Sequence, residues 1–318
     1  MSDGSPDRLP RYAYLGPAGT FTEAALRQVA APDVAEYLPQ PDVVAALEAV
    51  RTGAADFAVV AIENSVEGAV TAVLDTLATG VALVMVREIL VPVSFTLAAR
   101  PGTGLSDVRL ISAHPHAWAQ CRRWLGAHLP GAEHVPSTSN TASAIVLADP
   151  AASPAFDAAL VPPPAVAQYG LATLATQVAD NAGAVTRFVV VGRPGHVPAP
   201  TGSDKTSLVV QLPSERAGAL LEMLEQFATR GVNLSRIESR PIGDELGRYS
   251  FSIDAEGHIA EARMAEALMG LHRTCPAVRF LGSYPKADGV GNDVQSGTTG
   301  ADFDAARHWV DGLRSGRA

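Results

Sequence analysis

Phe57 to Ile62 reads FAVVAI, six apolar residues in unbroken succession. The run is too short for a buried helix and has the length of a buried strand. Helical patterns flank it. Val43 to Arg51 carries one and ends ahead of Gly53, and Ser65 to Leu77 carries the next. Upstream, Tyr12 to Leu15 reads as a strand, followed by a Gly16-Pro17-Ala18-Gly19 turn. Thr20-Phe21-Thr22-Glu23 then opens a helix with a Thr-x-x-Glu capping signature. Strands alternating with helices predict an α/β fold, a mostly parallel sheet with helices on both faces.

The alternation continues. Val81 to Leu97 reads as two strands around Pro92, Val108 to Ser112 as a strand, and Pro115 to Leu125 as a helix. Ser139 is placed to cap a helix through Leu147. Ala158 to Val161 is a strand, and Pro162-Pro163-Pro164 stops it and bars a helix until Ala165 to Tyr169. Phe188 to Val191 is the last strand before the Pro/Gly-rich stretch from Arg193 to Gly202. Beyond it the pattern changes. Strands at Thr206–Leu212, Val232–Glu238, Tyr249–Ile253 and Val278–Leu281 surround helices at Ala217–Ala228 and Ile259–His272. This βαββαβ order is that of a ferredoxin-like unit. The first ten residues and residues 286–300 are polar and expected to be flexible. Phe303, Ala306, Trp309, Val310 and Leu313 form one stripe of a short C-terminal helix.

Apolar residues make up 47% and charged residues 18% of the 318, so the chain can bury more than one core. With aromatics at 6%, those cores must be filled by Ala, Val and Leu. The net charge of −9 argues against a general nucleic-acid binder. No signal-peptide pattern opens the chain, and Val81 to Val86 is far too short to span a bilayer, so the expected home is the cytoplasm, with no membrane partner. Cys121 and Cys275 suggest reduced thiols on helices. His114 and His116 are too few for a metal site, and none is expected.

Several segments carry polar groups suited to a small acid. The Gly16-to-Thr20 turn and the hydroxyl-rich Ser137-to-Thr141 segment each lead into a helix N-terminus, where free N–H groups suit a carboxylate. Each also reads as simple capping, by Thr20 and Ser139. Glu63-Asn64-Ser65 follows an apolar strand, where open α/β sheets gather ligands, yet Asn64 or Ser65 serves equally as a helix cap. Thr186-Arg187-Phe188 places a hydroxyl, a fixed cation and an aromatic face on consecutive residues. Its simpler reading is a strand entry with a surface ion pair.

In order and approximate spacing, Gly16–Thr20, Glu63-Asn64-Ser65, Thr186-Arg187-Phe188 and Glu238-Ser239-Arg240-Pro241 resemble a prephenate dehydratase with a C-terminal ACT regulatory domain. The likeness runs from Tyr12 to Gly192 and from Lys205 to Tyr284. It implies a catalytic region, 12–192, built like a two-lobed periplasmic binding protein. One lobe would hold 12–86 and 180–192, the other 87–179. A linker (193–204), a ferredoxin-like ACT domain (205–284) and a tail (285–318) would follow. By the same resemblance Thr186, Arg187 and Phe188 are the catalytic residues: Thr186 donates to the departing hydroxyl, Arg187 pairs with a carboxylate, and Phe188 packs the cleft. Thr20, Asn64, Ser65 and Ser139 bind prephenate. Gly218, Ala219, Leu220, Asn233, Leu234, Glu238 and Ser239 bind phenylalanine as effector, between paired ACT units of a homodimer or homotetramer. No cofactor is implied. Ala61, His116, Asn140 and Ala217 depart from the family's usual residues, which leaves His116 and Asn140 open as substrate contacts. A non-aromatising prephenate decarboxylase, an arogenate-consuming enzyme and a non-catalytic small-acid sensor are the alternatives.

Overall fold

The computed structural model describes residues 8–195, 197–212, 216–241 and 249–316. Of the polar first ten residues, 1–7 therefore lie outside the described residues. Arg8 is fixed, its guanidinium forking onto Asp56 at 2.8 and 3.0 Å. Two compact units emerge: Met1–Val73 with Ile89–Phe188, and Leu74–Glu88 with Val189–Ala318.

The first unit opens with β1 (Arg11–Leu15), α1 (Phe21–Val29), β2 (Glu36–Gln40), α2 (Val43–Arg51) and β3 (Phe57–Asn64). β4 (Gly68–Ala69), α3 (Thr71–Ala78) and β5 (Val84–Pro92) follow. With β11 (Val185–Gly192) these strands form a sheet of order β2-β1-β3-β11-β5, with β4 paired to β3. β1 runs parallel to both β2 and β3. β5 and β11 each continue from one unit into the other. Ala58, Val59, Val60 and Ile62 are fully buried, as the unbroken apolar run requires.

The excursion between β5 and β11 builds a second sheet. Its elements are β6 (Thr96–Ala99), β7 (Leu110–Ala113), α4 (Pro115–Gln120), α5 (Arg122–His128), β8 (Glu133–Pro136), α6 (Asn140–Ala148), β9 (Ala158–Val161), α7 (Pro163–Gln168) and β10 (Ala172–Ala175). The order is β10-β6-β9-β7-β8, with parallel and antiparallel pairs mixed. Both faces are covered. Leu97, Ala99, Ala158 and Leu160 enter one apolar cluster, and their neighbours Ala98, Ala159 and Val161 enter another. That division is the period-two alternation of strands. A strand returning from the second sheet into the first gives the expected two-lobed architecture.

The second unit contains β12 (Asp204–Gln211), α8 (Ala219–Ala228), β13 (Leu234–Pro241), β14 (Tyr249–Glu256), α9 (Ala262–Thr274) and β15 (Ala277–Pro285), then α10 (Gly300–Arg314). Its four-stranded antiparallel sheet has the order β13-β14-β12-β15, the expected ferredoxin-like arrangement. Leu208, Val210, Phe251 and Ile253 pack with Met223, Phe227, Met264 and Leu271 of α8 and α9. On the alternate strand positions Asp254 is fully buried. It accepts from Arg236 Nε at 2.8 Å and from Ser207 Oγ at 2.5 Å. Leu74–Glu88 belongs to the same unit, tied in by Arg240–Asp75 at 2.7 Å and Lys205–Glu88 at 2.8 Å.

Several local expectations differ from what is found. β2, β8 and β10 have no apolar run, because each lies at a sheet edge where polar residues and proline are tolerated. α3 begins at Thr71, not Ser65. Asn64 Oδ1 accepts from the N–H groups of Val66 and Glu67, turning the chain back into the β3–β4 pair. Thr186 to Phe188 lie inside β11, not ahead of it. α7 starts within the proline run, since its first turn needs no N–H donors. The expected single helix from Pro115 breaks at buried Cys121, and Asp180 caps α5 by accepting from Arg123 N and Trp124 N at 2.9 and 3.0 Å. The cysteines accordingly sit at helix boundaries. The start of the tail is pinned: Ala287 N donates to Glu88 and Asn292 Nδ2 to Asp204 O, at 2.8 and 2.9 Å. On α10, Trp309 is 67% exposed and Val310 and Leu313 are exposed with it, while Phe303 is partly buried.

Gly282 has φ +129°, and a Cβ there would press against the Met85 carbonyl. Gly282→Ala should lower stability by about 1–3 kcal/mol. A thermal unfolding midpoint equal to that of the unaltered protein would contradict this packing.

Candidate active site

β3 and β11 are neighbours, and their ends supply two cross-strand pairs. Asn64 Nδ2 donates to Thr186 Oγ1 at 2.8 Å. One residue earlier on β3 and one later on β11, Glu63 Oε2 lies 3.6 Å from Arg187 Nη1. Successive strand side chains alternate in direction, so the two pairs occupy opposite faces of the sheet. Arg187 therefore leaves β11 on the face opposite Thr186 and Phe188. Arg187, expected to take a substrate carboxylate, has Glu63 as its partner because of this alternation. Phe188, expected to pack a cleft, is 2% exposed and lies in the core.

The Asn64 amide has a defined orientation. Its Oδ1 faces two backbone donors, so Nδ2 must be the group that meets Thr186. Thr186 Oγ1 thus accepts, and its own proton is left for another acceptor. Ser65 joins the same corner: Ser65 N donates to Val185 O, and Val185 N to Ser65 Oγ, both at 2.9 Å.

Thr20 and Ser139 meet elsewhere, in a cavity of about 630 Å³. Leu15 to Pro17, Thr20 to Thr22 and Pro39 to Pro41 form part of its wall, and His114 and Thr138 to Ala142 another. Its size suits a small organic acid. The two helix ends that open onto it differ. At α1, Thr20 Oγ1 accepts from Glu23 N at 3.2 Å, but buried Glu23 takes Gly19 N at 2.5 Å and pairs with Arg27 at 2.6 Å. A carboxylate already occupies that dipole. At α6, Ser139 Oγ accepts from Thr141 N and Ala142 N at 3.2 and 3.4 Å, and no acidic residue lies in the first turn. The α6 end is the better seat for an external anion.

A sequence of contacts joins cavity and strand corner. Glu67, in the turn held by Asn64, bonds the His116 ring and accepts from Gln120 Nε2 at 3.0 Å. The His116 ring meets the His114 ring edge-on at 4.9 Å, and His114 lines the cavity. In sequence this His-Pro-His segment stands as a rejected metal candidate, with His116 open as a substrate contact, and no residue spacing could have revealed the contact of His116 with Glu67. Among the described residues no three His, Cys, Asp or Glu side chains gather to hold a metal, and no helix is long and apolar enough to cross a membrane.

A profile of the prephenate dehydratase family matches residues 12–196. A protein of Mycolicibacterium vanbaalenii described as prephenate dehydratase is 49% identical, the alignment covering 97% of this chain and all of that one. The chain belongs to the prephenate dehydratase family. Among solved structures, the prephenate dehydratase of Arthrobacter aurescens in complex with L-Phe superposes with a TM-score of 0.91 at 54% identity, over 96% of this chain and 99% of that one. A protein described as a novel type of quorum-quenching acylase gives 0.75 at 30% identity, over 86% and 97%.

In this prephenate dehydratase family member, two of the groups of positions singled out for an effector lie at opposite ends of α8. Gly218, with φ +86°, caps the start of α8, followed by Ala219 and Leu220. Asn233 and Leu234 follow its far end, about 15 Å away along a ten-residue helix. Leu234 packs on the apolar core. Glu238 pairs opposite Ser252 and Ser239 opposite Phe251, so these two face opposite sides of the sheet.

Burial holds the His114 imidazole below the ordinary histidine range, and neighbouring His116 adds to this while Glu67 opposes it. The folded protein thus binds this proton less readily than the unfolded chain, and its contribution to stability is lost as pH falls below about 6.5. NMR titration should find the His114 midpoint below 6.5; a midpoint above it contradicts this environment.

Proposed function

We propose that the protein is a carbon–oxygen lyase that converts prephenate to phenylpyruvate by decarboxylating dehydration, in phenylalanine biosynthesis in the cytoplasm, with phenylalanine as feedback effector. The observation that carries the chemistry is the Asn64–Thr186 hydrogen bond, which leaves the threonine proton free to donate. Residues 12–192 form the catalytic region in this reading. Residues 205–284 form an ACT domain, which places the effector between two chains of a homo-oligomer. The separation of Gly218–Leu220 from Asn233–Leu234 favours a two-chain pocket.

Prephenate contains its own driving force. When the bond from the ring to its carboxylate breaks, the electron pair enters the ring and expels the hydroxyl at the para position. With one proton taken up, the products are phenylpyruvate, carbon dioxide and water, and no oxidant or cofactor is consumed. The protein must hold the acid and assist the departing oxygen. Ser139 and the α6 N-terminus receive a carboxylate, with Thr20 on the facing wall. Thr186 donates to the departing hydroxyl, and Asn64 and Ser65 hold it in place. Threonine is a weak acid, so Thr186 orients and relays a proton that solvent supplies. Arg187 acts from the opposite face, where it holds Glu63 and raises the local potential.

An acylase, as one structural neighbour is described, calls for a free nucleophile beside a free base. In the cavity, the Ser139 hydroxyl is occupied by two N–H donors and His114 Nδ1 by one, which favours dehydration.

Purified protein incubated with prephenate should yield phenylpyruvate above the spontaneous rate, and phenylalanine should suppress it. A decarboxylated product that keeps its hydroxyl would select the non-aromatising reaction instead. Thr186→Ala should lower kcat by about 10²–10³-fold with the fold intact. Near-normal turnover in that variant would remove Thr186 from the chemistry.

A further inference from the structure

His114 is attached at three points. Its backbone N–H donates to Asn140 Oδ1 at 2.8 Å, tying it to the first residue of α6. Its Nδ1 accepts from His116 N at 3.3 Å, so the side chain is itself the N-cap of α4. Its ring abuts the His116 ring, which Glu67 holds in turn. With Nδ1 used as an acceptor, the neutral imidazole carries its proton on Nε2. Among the described residues nothing accepts from Nε2, although the ring forms part of the cavity wall. A half-buried ring with one uncommitted N–H, fixed beside the α6 N-terminus, is what a bound carboxylate requires and what a purely structural cap does not.

We propose that His114 is a further substrate-contacting residue, donating from Nε2–H to the carboxylate seated at the start of α6. This rests on the dehydratase reading of the same cavity. Burial and the neighbouring His116 disfavour the charged ring while Glu67 opposes this, and Nε2 can donate to the carboxylate in either protonation state. The roles of its two nitrogens are separable. A glutamine amide can reach the position of Nε2 but cannot cap α4. An asparagine amide is a good cap but falls short of the cavity.

The test compares His114→Gln with His114→Asn in prephenate turnover, with thermal unfolding measured for both. The proposal expects His114→Gln to keep KM within a few-fold of the unaltered protein. It expects His114→Asn to raise KM by about 10- to 100-fold, with kcat much less affected. Rescue by asparagine and loss with glutamine would make the residue a structural cap and overturn the proposal. Retention of KM by both variants would overturn it as well, as would loss in both at unchanged unfolding temperature. Should either variant unfold early, the decision passes to the unaltered protein. Titration with phenylpyruvate should then shift the His114 Nε2–H resonance, and an unmoved resonance overturns the contact. Failure of the unaltered protein to turn over prephenate would reject the dehydratase reading, and this assignment with it.

Discussion

One carboxamide organises the strand corner. Asn64 accepts two backbone N–H groups through Oδ1 and gives its Nδ2 proton to Thr186. The first pair of bonds turns the chain immediately after β3, delays the next helix and places Glu67 at the tip of the turn. The third sets the polarity of a hydroxyl on a strand far away in sequence. Each bond constrains the others, because an amide whose oxygen is committed has no freedom to flip. In the proposed reaction the departing hydroxyl would find a donor already oriented, which is how fixed dipoles contribute to catalysis without reorganising.

The strands around that corner divide the work by face. Thr186 and Asn64 share one side, Arg187 and Glu63 the other, and Phe188 anchors β11 in the core. The cation one residue from the hydroxyl therefore leaves the strand on the other face, beside Glu63. At the α6 end of the cavity, Ser139 caps the helix and no acid lies in its first turn, which is why the proposed carboxylate seat is there. At α1, Glu23 already fills the equivalent position. The His114–His116–Glu67 contacts join the cavity to the corner.

What could be read from residues alone follows a physical divide. β3, α2 and β9 are specified by their own apolar patterns, and each was legible nearly to its ends. The order of the βαββαβ unit was legible too, although β14 and β15 run further than their apolar patterns. The edge strands β2, β8 and β10 were not, since an edge needs no apolar face. Elements set by distant partners were also missed: Asp180 capping α5, Glu88 pinning Ala287, and Asn64 postponing α3. At the site, residue identities were visible as motifs, but the division of Thr186 and Arg187 between faces required the register of β11. The bond between Glu67 and His116 left no local trace in the sequence.

The central claim is that Asn64 acts through Thr186, and a double-mutant cycle tests it directly. Asn64→Asp keeps the acceptor for the turn but removes the donor, and Thr186→Ala removes the hydroxyl. If the two residues are one device, kcat of the double variant will fall no more than a few-fold below that of the slower single variant. A double variant whose loss equals the product of the two single losses would show independent roles and contradict the account.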